Sequence, residues 1–369
     1  MANGGQMAAI KERENKTAKK SENKAASFRK TKAWKIIRTV LIVVVVVAAA
    51  IITFMAFPDW PRTKVISNEN ATNPYIRDCL DVDISAHRSG AGIAPENTMM
   101  AFKKVLEDNE KYGVDTYEFD VNITADGELV ILHNLTYDET SDAIEFFGRK
   151  NVAASELTLA EAKKLNMGEN FEIDGEYPYR GLRGDDIPDD LRVVTCDEVI
   201  DYIEANSGEK KFNYIIEIKS LGEDGMRAAD KLYSIITERN LKDRVIWATS
   251  ETDVSEYMAK TYPDMPRSAN PQEVFQFFMY CKLGKDLDEL DVTYVALQIP
   301  YGKSAGYNIF NLGTKKMINY AHKYDIAMQY WTINKEKYVR KLAENGADCI
   351  MTDYPQMAYE ALDELKSEQ

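Results

Sequence analysis

The chain has 369 residues, of which 45% are hydrophobic and 29% charged, enough to bury a substantial core. Its net charge of −14 is uneven, because residues 1–38 hold 11 Lys or Arg against 3 Asp or Glu, so the remainder carries −22. An acidic body excludes nucleic acid as an expected partner, since phosphate backbones require basic surface.

The four cysteines are Cys79, Cys196, Cys281 and Cys349. They lack the CxxC spacing of zinc or thioredoxin-type sites, so we interpret them as small buried side chains. Disulfides between them stay open as an alternative.

Residues 39–57 form an uncharged segment rich in Val, Ile and Ala. As a helix this segment would reach roughly 28 Å, close to the hydrocarbon thickness of a bilayer. Basic residues from Lys30 to Arg38 precede it, so the positive-inside rule predicts a cytoplasmic tail at 1–38 and a catalytic body outside the cytoplasm. A cleaved signal peptide is the alternative, although its apolar region is normally only about 7–15 residues. We therefore predict a single-pass cell-membrane protein, with a linker at 58–80.

From residue 81 onward, short apolar segments alternate with longer amphipathic ones, which predicts a parallel sheet with helices outside it. The strand candidates are Val82–Ala86, Thr116–Ile123, Glu128–His133, Asn213–Ile218, Arg244–Ala248, Tyr294–Ile299, Ile326–Trp331 and Asp348–Thr352. This number of units over 81–362 favours an α/β fold, the (β/α)8 TIM barrel, followed by a tail at 363–369. A further short strand near Met265–Ala269 makes the count nine, and the surplus strand is not identifiable from the sequence.

Residues 138–195 interrupt this rhythm with aromatic, Gly and charged residues and one clear helical segment, Thr158–Asn166. We interpret them as an insertion after the third strand that lies above the strand ends, where it would overhang an active site. A surface loop without function is an alternative interpretation of equal weight.

The histidines are few, and two of them follow strand candidates in matching positions. His87 ends the first strand candidate and His133 the third, while His322 lies in a helical segment beside Lys323 and is interpreted as a surface residue. Catalytic groups of a barrel collect at the C-terminal ends of its strands. His87 and His133 are therefore candidates for general acid–base catalysis.

Carboxylates at i, i+2 spacing point to one face of a strand. Glu118 and Asp120 show this spacing, and Glu217 and Lys219 repeat it on a later strand. Two buried carboxylates are costly unless they are paired or bind a cation, and an oxygen-preferring ion such as Ca2+ or Mg2+ would satisfy them. Pairing with Arg or Lys, including a Glu217–Lys219 salt bridge, is the alternative. Arg88, directly after His87, could bind phosphate together with Lys219.

Several blocks in order resemble the signature of the glycerophosphodiester phosphodiesterase family, a TIM-barrel family, over roughly Asp83 to Tyr359. The matching blocks are His87-Arg88, Pro95-Glu-Asn-Thr98, Glu118-Phe-Asp120, Thr124-x-Asp126-Gly127, His133, Glu217-Ile-Lys219, Trp331-Thr-Ile-Asn334 and Thr352-Asp-Tyr-Pro355. Each block alone would be a weak signal, whereas this many in sequence make a specific one.

The resemblance implies hydrolysis of glycerophosphodiesters to glycerol 3-phosphate and an alcohol, and it also allows attack by the glycerol 2-hydroxyl to give a cyclic phosphate first. It implies that His87 and His133 act as general acid and base. Arg88 and Lys219 would contact the phosphate, and Trp331 would form an apolar wall for the glycerol carbons.

The resemblance further implies that Glu118, Asp120 and Glu217 bind the divalent ion. Glu96 would be a further metal-side group, and Asn97 would organise the site.

The sequence departs from the family pattern around the pocket. Ser89 stands where the family usually has Gly, Asn134 follows His133 in place of Asp, and Glu139-Thr140 replaces an Arg-Thr pair. These changes put the substrate in doubt more than the reaction. Phospholipid and a polyglycerophosphate envelope polymer therefore stay open as substrates, as does a tethered barrel that binds ligand without turnover.

Overall fold

The computed structural model describes Lys19 and residues 32–56, 63–66, 68–301 and 311–368. It divides into two compact units, Met1–Phe57 and Pro58–Gln369. Apart from Lys19 and 32–38, the predicted cytoplasmic tail lies outside the described residues.

The first unit contains one long helix, α1 (Lys32–Ala56), which begins seven residues before the span predicted at Thr39. Its large hydrophobic side chains from Ile36 to Phe54 are 43–64% exposed, which is costly in water. Within the described residues, it is the one helix long and apolar enough to cross a membrane. A signal sequence has the same properties, so the helix is a candidate for either.

The second unit is the predicted barrel. Its strands are β1 (Asp83–Ala86), β2 (Thr116–Ile123), β3 (Leu129–Ile131), β4 (Asn213–Ile218), β5 (Val245–Ala248), β6 (Ala296–Pro300), β7 (Ala327–Trp331) and β8 (Cys349–Thr352). Seven of them pair in parallel in the order β5-β4-β2-β1-β8-β7-β6. Two isolated parallel bridges, Trp247 to Arg267 and Ser268 to Ala296, close the ring between β5 and β6. The (β/α)8 prediction is confirmed.

The surplus strand is β3, which pairs antiparallel with β2 outside the ring. The short segment at Arg267 and Ser268 takes the eighth barrel position instead. The interpretation of His133 as the end of a barrel strand is therefore wrong. His133 instead lies two residues beyond β3, on the segment that returns along β2 toward Asp120, whose carbonyl accepts from the Leu132 N–H at 2.9 Å.

Helices cover the outside of the ring. The described helices of this unit are α2 (Met99–Glu107), α3 (Asn109–Tyr112), α4 (Ala143–Phe147), α5 (Leu159–Ala162), α6 (Cys196–Asn206), α7 (Gly222–Glu238), α8 (Thr252–Thr261), α9 (Pro271–Leu283), α10 (Lys315–Lys323), α11 (Glu336–Asn345) and α12 (Pro355–Ser367). Of these, α4 and α5 belong to the inserted segment 138–195. Side-chain caps set several starts: Thr98 accepts from the N–H of Ala101, and Asn270 forms a capping box with Glu273.

The two faces of β2 have different partners. Every residue of this strand is buried. On the outward face, Tyr117 and Phe119 pack against Phe102 of α2, with ring centroids 5.8 and 5.5 Å apart. The opposite face carries Glu118 and Asp120, as the i, i+2 spacing predicts.

The inserted segment 138–195 has a core of its own. Side chains such as Ala143, Val152 and Leu165 pack with Val130 and Leu132 on and beside β3. This packing fixes the insertion against β3 and the segment that leads from it to His133.

The chain enters the barrel at the N-terminal ends of the strands. Tyr75 and Ile76, within the predicted linker, are buried against Ile246, Ala327 and other residues of the barrel interior. Residues 73–77 are thus part of the folded body.

His322 is buried at the same end, so its interpretation as a surface residue is wrong. Its Nε2 donates to Asp348 Oδ2 at 2.8 Å, and both side chains are almost fully buried. The Asp348 carboxylate also accepts from the N–H groups of Arg77 at 2.7 Å and Met328 at 2.6 Å.

All four cysteines lie within the described residues, and no two of them form a disulfide there. Cys196, Cys281 and Cys349 are buried, as expected for small hydrophobic side chains, whereas Cys79 is exposed.

Candidate active site

Three carboxylates converge between the middle of β2 and the C-terminal end of β4. Each of Glu118, Asp120 and Glu217 offers an oxygen within 4.8 Å of those of the other two. The strand register explains this, because Asp120 of β2 lies directly beside Glu217 of β4. Glu118 and Asp120 are only 4% and 1% exposed, so their charges require compensation.

Cationic side chains surround this cluster. Lys219 Nζ lies 2.8 Å from Glu217 Oε1 and 3.2 Å from Asp120 Oδ1. Arg88 Nε lies 4.0 Å from Asp120 Oδ2. Both cations predicted to bind phosphate therefore border the carboxylates, and the alternative Glu217–Lys219 salt bridge is also present.

Glu96 and Asn97, two predicted site residues that precede α2, have different partners. Both carboxylate oxygens of Glu96 accept from Arg88 Nη1 at 3.1 Å, and Glu96 is not one of the three clustered carboxylates. Asn97 Nδ2 donates to Asp120 Oδ2 at 3.2 Å. Its Oδ1 is buried and accepts no hydrogen bond within the described structure, so one more oxygen ligand is available beside the carboxylates.

Burial and like charge dominate the electrostatics of the cluster. Burial, together with the Asp120 carboxylate, raises the pKa of Glu118 to about 7. Burial also raises the pKa of Glu217, against the opposing effect of Lys219. For Asp120, burial is outweighed by Lys219 and neighbouring cations, which lower its pKa. Three acids of this kind in so small a space fit a divalent cation with oxygen ligands.

His87 follows β1 and is held by a carboxylate. Its Nδ1 donates to Asp353 Oδ1 at 2.7 Å, and Asn334 Nδ2 donates to the other oxygen of Asp353. Burial lowers the pKa of His87, but Glu118 and Asp353 outweigh burial and raise it above the usual value. Asp353 thereby fixes the ring and stabilises its charged form.

His133 is held by an amide instead. Its Nδ1 lies 2.7 Å from Asn134 Oδ1, and Asn134 Nδ2 donates to Glu139 Oε2 of the insertion at 2.6 Å. The buried Asn122 donates to the carbonyls of Leu132 and Asn134, at 2.8 and 3.0 Å, and so fixes the backbone on both sides of His133. Burial is the largest cause that lowers the pKa of His133, while Asp120 opposes it.

The chain matches the sequence model of the glycerophosphoryl diester phosphodiesterase family over residues 87–357. The chain belongs to this family. Among its relatives, a glycerophosphodiester phosphodiesterase of Caldanaerobacter subterraneus subsp. tengcongensis is 29% identical over 274 residues, 74% of this chain and 94% of the relative.

Two solved structures show the same fold at lower identity. A putative glycerophosphoryl diester phosphodiesterase of Silicibacter pomeroyi has a TM-score of 0.58 and 22% identity, covering 77% of this chain and 94% of that one. A phosphodiesterase of Oleispira antarctica, in complex with the product sn-glycerol-3-phosphate, has a TM-score of 0.53 and 20% identity, covering 76% and 96%. The resemblance and the enzyme class predicted from the sequence are confirmed, and the chain is a phosphodiesterase. The roles of individual residues stay predictions.

Two departures from the glycerophosphodiester phosphodiesterase pattern compensate each other. The residues that replace Asp and Arg, Asn134 and Glu139, form a hydrogen-bonded pair of their own that holds His133.

Ser89 has φ 63° where the family usually has Gly, and its buried hydroxyl has no hydrogen-bond partner within the described structure. This left-handed conformation explains the preference of the family for Gly at that position.

Sequence reasoning assigned no role to Asp353, Asn334 or Asn122. A signal was present for the first two, because both lie in family blocks directly after barrel strands, at the end where barrel sites form. Asn122 carried no local signal, since its role depends on the hairpin formed by β2 and β3.

Proposed function

We propose that the chain hydrolyses glycerophosphodiesters to glycerol 3-phosphate and an alcohol, using a divalent ion and two histidines. Relatives that bear the name glycerophosphodiester phosphodiesterase support the substrate class. The chief support within the chain is the convergence of Glu118, Asp120 and Glu217 beside two histidines.

The acids and Asn97 fit a Ca2+ or Mg2+ ion, because all offer oxygen atoms and the acids carry more negative charge than Lys219 balances. When bound, such an ion would neutralise the phosphodiester and polarise its phosphorus–oxygen bonds. Glu96 instead keeps Arg88 in place, and Arg88 with Lys219 would bind the remaining phosphate oxygens.

The partners of the two histidines suggest which is the acid and which the base. Asn134 must present its oxygen to His133, because its nitrogen donates to a carboxylate that can only accept. His133 therefore holds a proton on Nδ1 and leaves Nε2 free as an acceptor, as a general base requires. His87 is backed by Asp353, whose negative charge stabilises the imidazolium needed to protonate the leaving alcohol.

The proton therefore moves from the nucleophile to His133 Nε2, and His87 gives its Nε2 proton to the alcohol oxygen as the phosphorus–oxygen bond breaks. Trp331, at the end of β7, would pack against the glycerol carbons.

A turnover assay tests this reaction. The full chain in lipid nanodiscs should release glycerol 3-phosphate from glycerophosphocholine, lose that activity with EDTA, and regain it with Ca2+ or Mg2+. Activity that persists with the chelator would overturn the metal role. His87→Ala and His133→Ala should each lower kcat by about 100-fold or more with unchanged circular dichroism, and normal turnover in either variant would overturn its role.

We also propose that α1 anchors the chain in the cell membrane, with the barrel outside the cytoplasm. The exposed apolar surface of the helix and the basic residues at its start support this orientation.

A further inference from the structure

A cavity of about 440 Å3 lies beside the carboxylate cluster, between the ends of β5, β6 and β7 and the first turns of α9. Glu217 and Trp331 form part of its wall, so it is continuous with the proposed catalytic site. Its volume lies within the range of small-molecule binding sites.

The walls of this cavity are mainly apolar. Residues of this kind include Val274, Phe275, Phe278, Ile299, Leu312 and Trp331. Among the described residues that line it, Glu217 is the one ionisable side chain, and the polar groups are neutral hydroxyls and the Gln298 amide. Apolar walls of this extent favour an aliphatic group, because its binding is stabilised roughly in proportion to the apolar area removed from water.

The charge of the lining disfavours other occupants. A polymer of glycerophosphate carries a negative charge in each repeat and would meet Glu217 without a cation from the described lining. A cationic head group would find Glu217 already paired with Lys219 at 2.8 Å.

We propose that this cavity binds a single acyl chain on the glycerol side of the substrate, so that the preferred substrates are monoacyl glycerophosphodiesters. This inference rests on the proposed function, in which Trp331 packs against the glycerol carbons, because the cavity extends from that same side chain. Water adds its oxygen to phosphorus, the bond from phosphorus to the head-group oxygen breaks, and the alcohol leaves with a proton. The products are a monoacylglycerol 3-phosphate and the head-group alcohol, and the acyl ester stays intact.

A chain-length series tests the inference with the full chain in lipid nanodiscs. Glycerophosphocholine is compared with its 1-hexanoyl, 1-octanoyl and 1-decanoyl derivatives below their micelle concentrations. Each buried methylene contributes about fourfold, so burial of four of them is enough to raise kcat/KM ~100-fold or more from the deacylated to the decanoyl substrate. A flat series would overturn the proposal. So would a preference for the decyl ester of glycerol phosphate, which carries its chain on the leaving alcohol.

A matched pair of variants on α9 locates the effect. Val274→Lys places a charge in the cavity and should lower the ratio of decanoyl to deacylated kcat/KM by at least ~30-fold. Gln276→Lys adds the same charge at an exposed position of the same helix that is not part of the lining, and should leave the ratio unchanged.

Different results would overturn the proposed function and the acyl-chain site. No turnover of any glycerophosphodiester with either ion would overturn the proposed function itself. Turnover of glycerophosphocholine, with a ratio that Val274→Lys leaves unchanged, would overturn only the acyl-chain site.

Discussion

At the scale of single residues, the two catalytic candidates differ mainly in what supports their Nδ1 atoms. Asp353 supports His87 with a negative charge, whereas Asn134 supports His133 with a neutral amide oxygen. The orientation of that amide depends in turn on Glu139, a residue of the insertion. We therefore propose that Glu139 acts as a positioning residue.

Glu139→Gln should lower kcat about tenfold with little change in KM, because Gln can donate as well as accept and no longer fixes the Asn134 amide. Glu176→Gln, at an exposed acid of the same insertion, serves as the control and should change neither constant. Steady-state kinetics on glycerophosphocholine measure both. Equal kinetic constants in the two variants would show that Glu139 does not position His133.

Asn134→Asp should move the acidic limb of the pH profile of kcat/KM upward by about one pH unit. The reason is that a carboxylate beside His133 raises its pKa, so the ring loses its neutral, basic form at a higher pH. A purely structural role for Asn134 would lower kcat/KM at every pH without moving this limb.

Glu118 gives metal binding a pH dependence with a definite sign. Since burial and Asp120 raise its pKa to about 7, the carboxyl group holds a proton below that pH and must lose it to bind an ion. Affinity for Mg2+ or Ca2+ should therefore weaken by up to about tenfold per pH unit below 7 and level off above it. Isothermal titration calorimetry in buffers of different ionisation enthalpy measures both the affinity and the released proton. Equal affinity at pH 6 and pH 8 would contradict a protonated Glu118.

At the scale of elements, prediction from sequence worked where the signal is local. The bounds of β2 and β4 were predicted to the residue, because continuous apolar segments with charged residues at i, i+2 spacing define them. The direction of β3 could not be predicted, since an apolar segment does not encode whether it pairs parallel or antiparallel. The burial of His322 was also missed, because its partner Asp348 lies 26 residues further along the chain.

The end of the barrel opposite the proposed active site depends on Asp348, which joins the entering chain, α10 and β7. Asp348→Asn places an amide donor against N–H donors and should lower the free energy of unfolding by about 3 kcal/mol. Urea unfolding followed by tryptophan fluorescence measures the change. Asp81→Asn is the control, because Asp81 pairs with Lys366 only at the exposed surface, and its loss should be within about 0.5 kcal/mol. Similar losses in the two variants would show that the buried network does not stabilise this end.

At the scale of the whole molecule, the distribution of charge and apolar surface sets the expected orientation. The residues before the apolar part of α1 carry +8 and the rest of the chain carries −22. A basic segment on the cytoplasmic side and an acidic enzyme outside agree with the positive-inside rule, and the free thiols offer a way to test this.

Cys79 is exposed on the barrel unit, whereas the other three thiols are buried. A membrane-impermeant maleimide added to intact cells should therefore label the chain at Cys79, and Cys79→Ala should abolish the labelling. A cysteine introduced into the tail of that variant, Ala26→Cys, should react only after the cells are permeabilised, because the membrane separates it from the reagent. The opposite pattern, with Cys79 protected until permeabilisation, would place the barrel in the cytoplasm and restrict its substrates to that compartment.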